Sequence, residues 1–85
     1  MAKGPEVTYR IGNCSASVFV NDVQGNGQKR KFRSVSVQRS YLEGNGDDAT
    51  RKFTSSFGLN DLPAAIRVLQ LALEHVEDKE AVVSD

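Results

Sequence analysis

The sequence predicts an α+β fold: an antiparallel three- or four-stranded β-meander with one C-terminal α-helix packed on one face, β-β-β-α in order. Three observations carry this. Apolar and polar residues alternate through "CSASVFV" and "RSVSVQRSY". The tripeptide "GNG" follows each of those runs, at 25–27 and again at 44–46. Beyond Gly58 the period changes from two to three and four in "NDLPAAIRVLQLALEHVED". With 85 residues the chain makes one domain, near the lower size at which a single apolar core suffices. It is expected over residues 7–78, between a flexible N-terminus (1–6) and a flexible acidic tail (79–85).

The first strand is read from "VTYRIGNCSASVFVNDVQ", rich in β-branched and aromatic residues. Cys14, Ala16, Val18 and Val20 alternate there with Ser15, Ser17 and Phe19. Gly12-Asn13 marks a bulge or bend, and Val7 to Ile11 is either an extra strand or the start of the first. "NDVQGNGQ" supplies the residues that tolerate positive φ in a hairpin connection. The second strand runs from about Lys31 to Leu42. Val35 and Val37 point to the core, while Ser34, Ser36, Gln38 and Ser40 point away. Arg39 and Tyr41 share the valines' phase at the sheet margin, and Phe32 is out of phase with them. A third strand, "TRKFTSSF", follows the turn "EGNGDDA", with Phe53 and Phe57 taken as core and Lys52, Thr54 and Ser56 opposite.

The helix is expected to start at Asn60 or Asp61 and to fade between Glu77 and Glu80. Asn60 suits the N-cap, Asp61 complements the positive end of the helix dipole, and Pro63 sits in the first turn. Leu62, Ile66, Leu69, Leu73 and Val76 form the stripe expected to cover the sheet. Ala65, Val68, Leu71 and Ala72 extend the apolar arc well past the ~100° that one contact requires. That surplus implies a second packing surface: a homodimer through Val68, Leu71, Ala72 and His75.

The formal charge of zero conceals an asymmetry. Residues 1–59 hold nine Lys/Arg against five Asp/Glu, and residues 60–85 hold two against six. The cations gather on the strands, which suits an anionic partner on one face. No apolar run approaches the ~20 residues of a membrane span and the N-terminus has no secretory h-region, so a cytoplasmic, membrane-free protein is expected. Cys14 and His75 are each the only residue of their type. An enzyme is therefore not expected, since the only nucleophile–base pair is one core cysteine and one helix histidine. "GDD" lacks further ligands, so no metal, cofactor or small-molecule substrate is expected.

Single-stranded DNA or RNA fits the strand region better. Cations follow phosphates, short polar side chains meet sugars and base edges, and an exposed ring stacks on a base. Lys29, Arg30, Lys31, Arg33 and Arg51 are the phosphate candidates, Phe19 the stacking residue, and Ser36 and Gln38 the hydrogen-bonding pair. A duplex reader would carry a basic helix, and this helix is acidic or apolar. The alternative is a protein-interaction module that uses the apolar helix face and binds no nucleic acid, its basic hairpin serving to keep sheet edges soluble.

The run from "RIGNCSASVFVND" through "RSVSVQRSYLEG" to "TSSFGLNDLPAAIRVLQLALEHV", about residues 10–76, resembles a family of small, largely uncharacterised bacterial proteins. In architecture it is also similar to the single-strand-binding transcriptional coactivator and Whirly superfamily. That resemblance implies nucleic acid gripped on a curved sheet, assembly through helices and a part in transcription regulation. It transfers no residue-level site.

Overall fold

The structure is a computed structural model; it describes residues 4–25 and 27–81, and the side chains of Gln24, Gln28, Lys29 and Arg30 fall outside the described residues. Four strands, β1 (Val7–Ile11), β2 (Cys14–Gly25), β3 (Gln28–Glu43) and β4 (Thr50–Thr54), precede a single helix, α1 (Leu62–Glu80). They form one sheet in the order β1-β2-β3-β4, with every neighbouring pair antiparallel. The α+β reading is thus the observed fold, in its four-stranded form. Among the described residues no helix is long and apolar enough to cross a membrane.

Gly12-Asn13 is a hairpin turn between two separate strands, because Ile11 pairs with Cys14. Gly12 adopts φ +60°, which a side chain would disfavour. At the far end Gly25 pairs with Gln28. The β3–β4 connection is longer and contains a 3₁₀ turn, Gly46–Asp48. Gly44 enters it at φ +107°, and a Cβ there would stand 2.9 Å from the Asp48 carbonyl oxygen.

β1 pairs only with Cys14–Val18, and β4 only with Arg39–Glu43. The central hairpin therefore continues as a bare two-stranded arm from Phe19–Ser34 to its tip, ~23 Å at the rise of an antiparallel strand. This accounts for the elongated molecule, 56 × 32 × 16 Å.

Opposed residues point to the same face of a sheet, so the registers sort every strand residue. The helix side carries Val7 and Tyr9, then Cys14, Ala16 and Val18, then Arg33, Val35, Val37, Arg39 and Tyr41, then Lys52 and Thr54. The valines at 35 and 37 do face the helix side: Val37 packs against the core and Val35 lies beyond its edge, exposed. Ser34, Ser36, Gln38 and Ser40 face the other way, as expected.

The core consists of Cys14, Ala16 and Val18 against Ala65, Val68 and Ala72. This reverses the expected helix orientation. Val68 and Ala72 are wholly buried, whereas Leu62, Ile66, Leu69 and Leu73 are exposed. The reason is steric. β2 presents small side chains at its centre, and the helix meets them with its own small side chains, so the two backbones approach closely and the leucines stay outside. Val76 joins the core.

A 3₁₀ turn, Leu59–Asp61, leads into the helix, which begins at Leu62, just after the expected Asn60 or Asp61, and holds to Glu80, the far limit of the expected end. Asp61 accepts the Gly58 backbone N–H at 3.1 Å and faces Arg39 at 3.3 Å. Arg39 also donates to the Ser56 carbonyl at 2.8 Å, which fixes the β4–α1 connection to β3. Phe57 packs on the core as expected, but Phe53 is 55% exposed and lies on the side away from the helix. The β4 pairing is the cause: Ser40 opposes Phe53, so Phe53 takes the phase of the serines.

Candidate nucleic-acid interface

The sheet face away from the helix is built by four strands in rows. Thr8 and Arg10 come from β1; Ser15, Ser17, Phe19, Asn21 and Val23 from β2; Phe32, Ser34, Ser36, Gln38, Ser40 and Leu42 from β3; Arg51 and Phe53 from β4. Among the described side chains of this face there is no carboxylate. The acids lie elsewhere: Asp22 and Glu43 belong to the helix side by register, and Glu74, Glu77, Asp78 and Glu80 to α1. Segregation of this kind makes the open face a positive surface on a chain of zero formal charge.

Its aromatic side chains are graded in exposure. Phe19 is half-buried, and Phe32, one diagonal step away on β3, is exposed. Phe53 lies at the other end of the face, six residues along β3 from the Phe19 row, about 20 Å at strand rise. Short hydrogen-bonding side chains fill the interval. Thr8 and Ser17 share a hydrogen bond of 3.0 Å, and Asn21 donates to Ser34 at 2.9 Å, so the platform is partly pre-ordered.

The expected site residues divide between the two faces. Phe19, Ser36, Gln38 and Arg51 share the open face, spread along β3 from Ser34 to Leu42. Lys31 and Arg33 do not: both have helix-side phase, Lys31 opposite Asp22 and Arg33 opposite Val20. Arg33 is committed to Glu6 and Glu80 instead. Lys29 and Arg30 have side chains outside the described residues. Lys52, Thr54 and Ser56 were expected on the open face; Lys52 and Thr54 are on the other. Arg10 and Phe53 belong to the face and were not anticipated. Once Gly12-Asn13 is a two-residue turn, Arg10 must fall opposite Ser15, so that turn was the signal.

The expected dimer residues are also displaced. Val68 and Ala72 are consumed by the sheet contact, Leu71 is half-buried, and His75 turns toward β1, within 2.7 Å of Glu6 and edge-on to Tyr9. The exposed apolar flank is Leu62, Ile66, Leu69 and Leu73.

Burial pushes the Cys14 thiol up from its ordinary pKa, with the Asp61 charge adding to that shift and Arg39 opposing it. It donates to Asn13 Oδ1 and to the Asp61 carbonyl, each at 3.6 Å. Cys14 and His75 thus have separate partners. Among the described residues no group of three or more His, Cys, Asp or Glu is placed to hold a metal ion. Compared with protein-family models, curated proteins and solved structures, the chain gave no match.

Proposed function

We propose that the protein is a non-enzymatic binder of single-stranded DNA or RNA, held across the open sheet face, and that it acts as a homodimer. One observation carries the reading: a solvent-facing sheet surface that carries Phe32 at one end, with Phe19 half-buried beside it, and Phe53 at the other, together with Arg10 and Arg51, without a described carboxylate. Phe32 and Phe53 each keep about half of their surface exposed on this face, apolar area that a stacked base would cover favourably. Rings on which bases stack, arginines at the margins and short polar side chains between them are the parts a single strand uses. The route is long enough for several nucleotides. Arg51 keeps the phosphate role assigned to it from sequence, and Arg10 takes the one assigned to Lys31 and Arg33.

The partner for the helix is a second copy of the chain. Leu62, Ile66, Leu69 and Leu73 repeat at spacings of four, three and four, the seam of a helix pair. Arg67 lies in the first half of the helix beside this seam, and Glu74 and Glu77 in the second half. An antiparallel two-fold pairing sets each arginine toward its partner's acids.

Titration of a labelled single-stranded oligonucleotide tests the binding. Affinity should fall with salt at a log–log slope of about −0.7 per neutralised phosphate. The same open face would remain unperturbed in an NMR titration if the protein were solely a protein-interaction module; that outcome, with no binding at ~50 mM salt, defeats the proposal.

A further inference from the structure

At one corner of the open face, where the β1–β2 turn ends and the sheet narrows to β3 and β4, lies a basin of about 210 Å³. Its rim holds Arg10, Asn13, Arg51 and Phe53, and its floor holds Ser15 and Ser40. Arg51 donates from Nη1 to Ser40 Oγ at 3.0 Å, which holds one guanidinium over the floor. Asn13 is fixed by a bond from its amide to the Ser40 carbonyl at 3.3 Å.

Ser15 gives the second, independent indication. It is only 7% exposed, the one polar residue among the buried set, yet its hydroxyl makes no hydrogen bond to any described residue. No described side-chain oxygen is both sealed from solvent and unpartnered, so the Ser15 hydroxyl opens into the basin it lines. A hydroxyl that no side chain or backbone group engages keeps its donor and its acceptor lone pairs free toward the basin. The basin offers it a ligand atom.

We propose that this basin is an end-recognition pocket that binds the terminal phosphomonoester of the single strand, with the last base lying on Phe53. The inference rests on the single-strand reading and adds to it a preference for one phosphorylated end. Two arginines flank the cavity and no acid lines it, so the ligand group is anionic. A terminal phosphomonoester carries a charge near −2 at neutral pH, against one for an internal diester, and its oxygens match the paired donors of guanidinium. The volume is below the ~300–1,000 Å³ of pockets that enclose a whole small ligand, so it suits one group at the end of a longer molecule. The turn at Gly12-Asn13 walls the basin on one side, where a continuing strand would have to climb over it.

The test uses the full chain and three short oligothymidylates of one length, carrying a 5′-phosphate, a 3′-phosphate or neither, titrated by anisotropy. One phosphorylated form should bind about tenfold more tightly than the unphosphorylated strand. That advantage should shrink below pH ~6, where the monoester takes up its second proton. In Arg10→Gln and in Ser15→Ala the ratio of the two affinities should fall toward one, with the fold checked by circular dichroism. Equal affinity for all three strands overturns the pocket and leaves the single-strand reading standing. Binding of none overturns that reading, and the basin is then decided by NMR with thymidine 5′- and 3′-monophosphates. Shifts at residues 10, 15, 40 and 51 sustain it, and their absence ends it.

Discussion

Arg33 on β3 donates from Nε to one carboxylate oxygen of Glu6 at 2.9 Å and from Nη2 to the other at 3.1 Å. Its remaining nitrogen, Nη1, donates to Glu80 at 2.9 Å. His75 approaches the same Glu6 oxygen at 2.7 Å. The residue before the first strand and the last residue of the helix are therefore tied to one guanidinium near the root of the hairpin arm. The Glu6 backbone N–H also bonds to the Val18 carbonyl, at 2.6 Å, so the pairing of β1 with β2 reaches back to Glu6.

This cluster gives stability a pH dependence of known sign. The hydrogen bonds from Arg33 and then His75 lower the Glu6 carboxyl from its ordinary 4.5 to about 2. A depressed carboxylate stabilises the folded state fully above its unfolded value, and that contribution is lost as pH falls from about 4.5 toward 2. Thermal melts of the wild type and of Glu6→Gln should differ at neutral pH and converge at the acid end of that window. Because these groups are partly exposed, added salt should also narrow the difference. A constant difference across the range would contradict the assignment.

The helix contact makes a prediction about size rather than polarity. Ala72 is wholly buried against the sheet, so Ala72→Leu should cost ~1–3 kcal/mol through overpacking. Val68→Ala should cost about 2 kcal/mol, from lost burial and the cavity left behind. Urea unfolding would measure both. Replacements of the same size on the outer flank, such as Leu73→Ala, should leave the unfolding of an isolated subunit almost unchanged, since Leu73 is 54% exposed.

The strands β2 to β4, the two later turns and the polar character of the open face were legible because each rests on local pattern, whereas Gly12-Asn13 read as a bulge or bend and left β1 open as a separate strand. The period-two alternation through Ser34, Ser36 and Gln38 needs no knowledge of the neighbours. Three things were not legible, and all depend on long-range contact. Nothing local says whether the Ala65–Val68–Ala72 arc or the Leu62–Ile66–Leu69–Leu73 arc of an all-round apolar helix meets the sheet. The small residues Cys14 and Ala16 on β2 decide it, through how closely the backbones can approach. Likewise the phase of Phe53 depends on which β3 residue it opposes, and the 44–49 loop sets that register. Arg33 was read as free cation because its partners, Glu6 and Glu80, lie 27 and 47 residues away in sequence.

The thiol of Cys14 should be unreactive in the folded protein. It is fully buried beneath the helix and its pKa is raised, so little thiolate forms and reagents have no path to it. Modification by an aromatic disulfide reagent should proceed only as fast as the helix lifts from the sheet, and it should accelerate in Ala72→Leu. Immediate reaction in the native state would show that the helix does not cover β2 as described.

The outer leucine flank predicts assembly. Leu69→Glu places a charge in the centre of the proposed helix seam, and sedimentation should show the particle mass reduced by half with the circular dichroism spectrum retained. Val68→Glu is the contrasting change: Val68 is inside the subunit, so the charge should unfold it rather than dissociate it. A wild-type protein that sediments as a monomer at high concentration would remove the dimer from the proposal.

The open face makes the most direct prediction, because the two faces of one strand can be compared. Phe53→Ala and Phe19→Ala should each weaken single-strand binding by ~1–3 kcal/mol, the worth of a stacked base. Arg10→Gln and Arg51→Gln should weaken it and also reduce the salt slope by about 0.7 each, since each removes a phosphate contact. Lys52→Gln and Arg33→Gln lie on the helix side and should leave the salt slope where it was, although Arg33→Gln should lower the melting temperature. If instead the helix-side cations control the slope and the open-face residues do not, the strand runs along the arm beside the helix. The serine platform would then be an ordinary solvated surface.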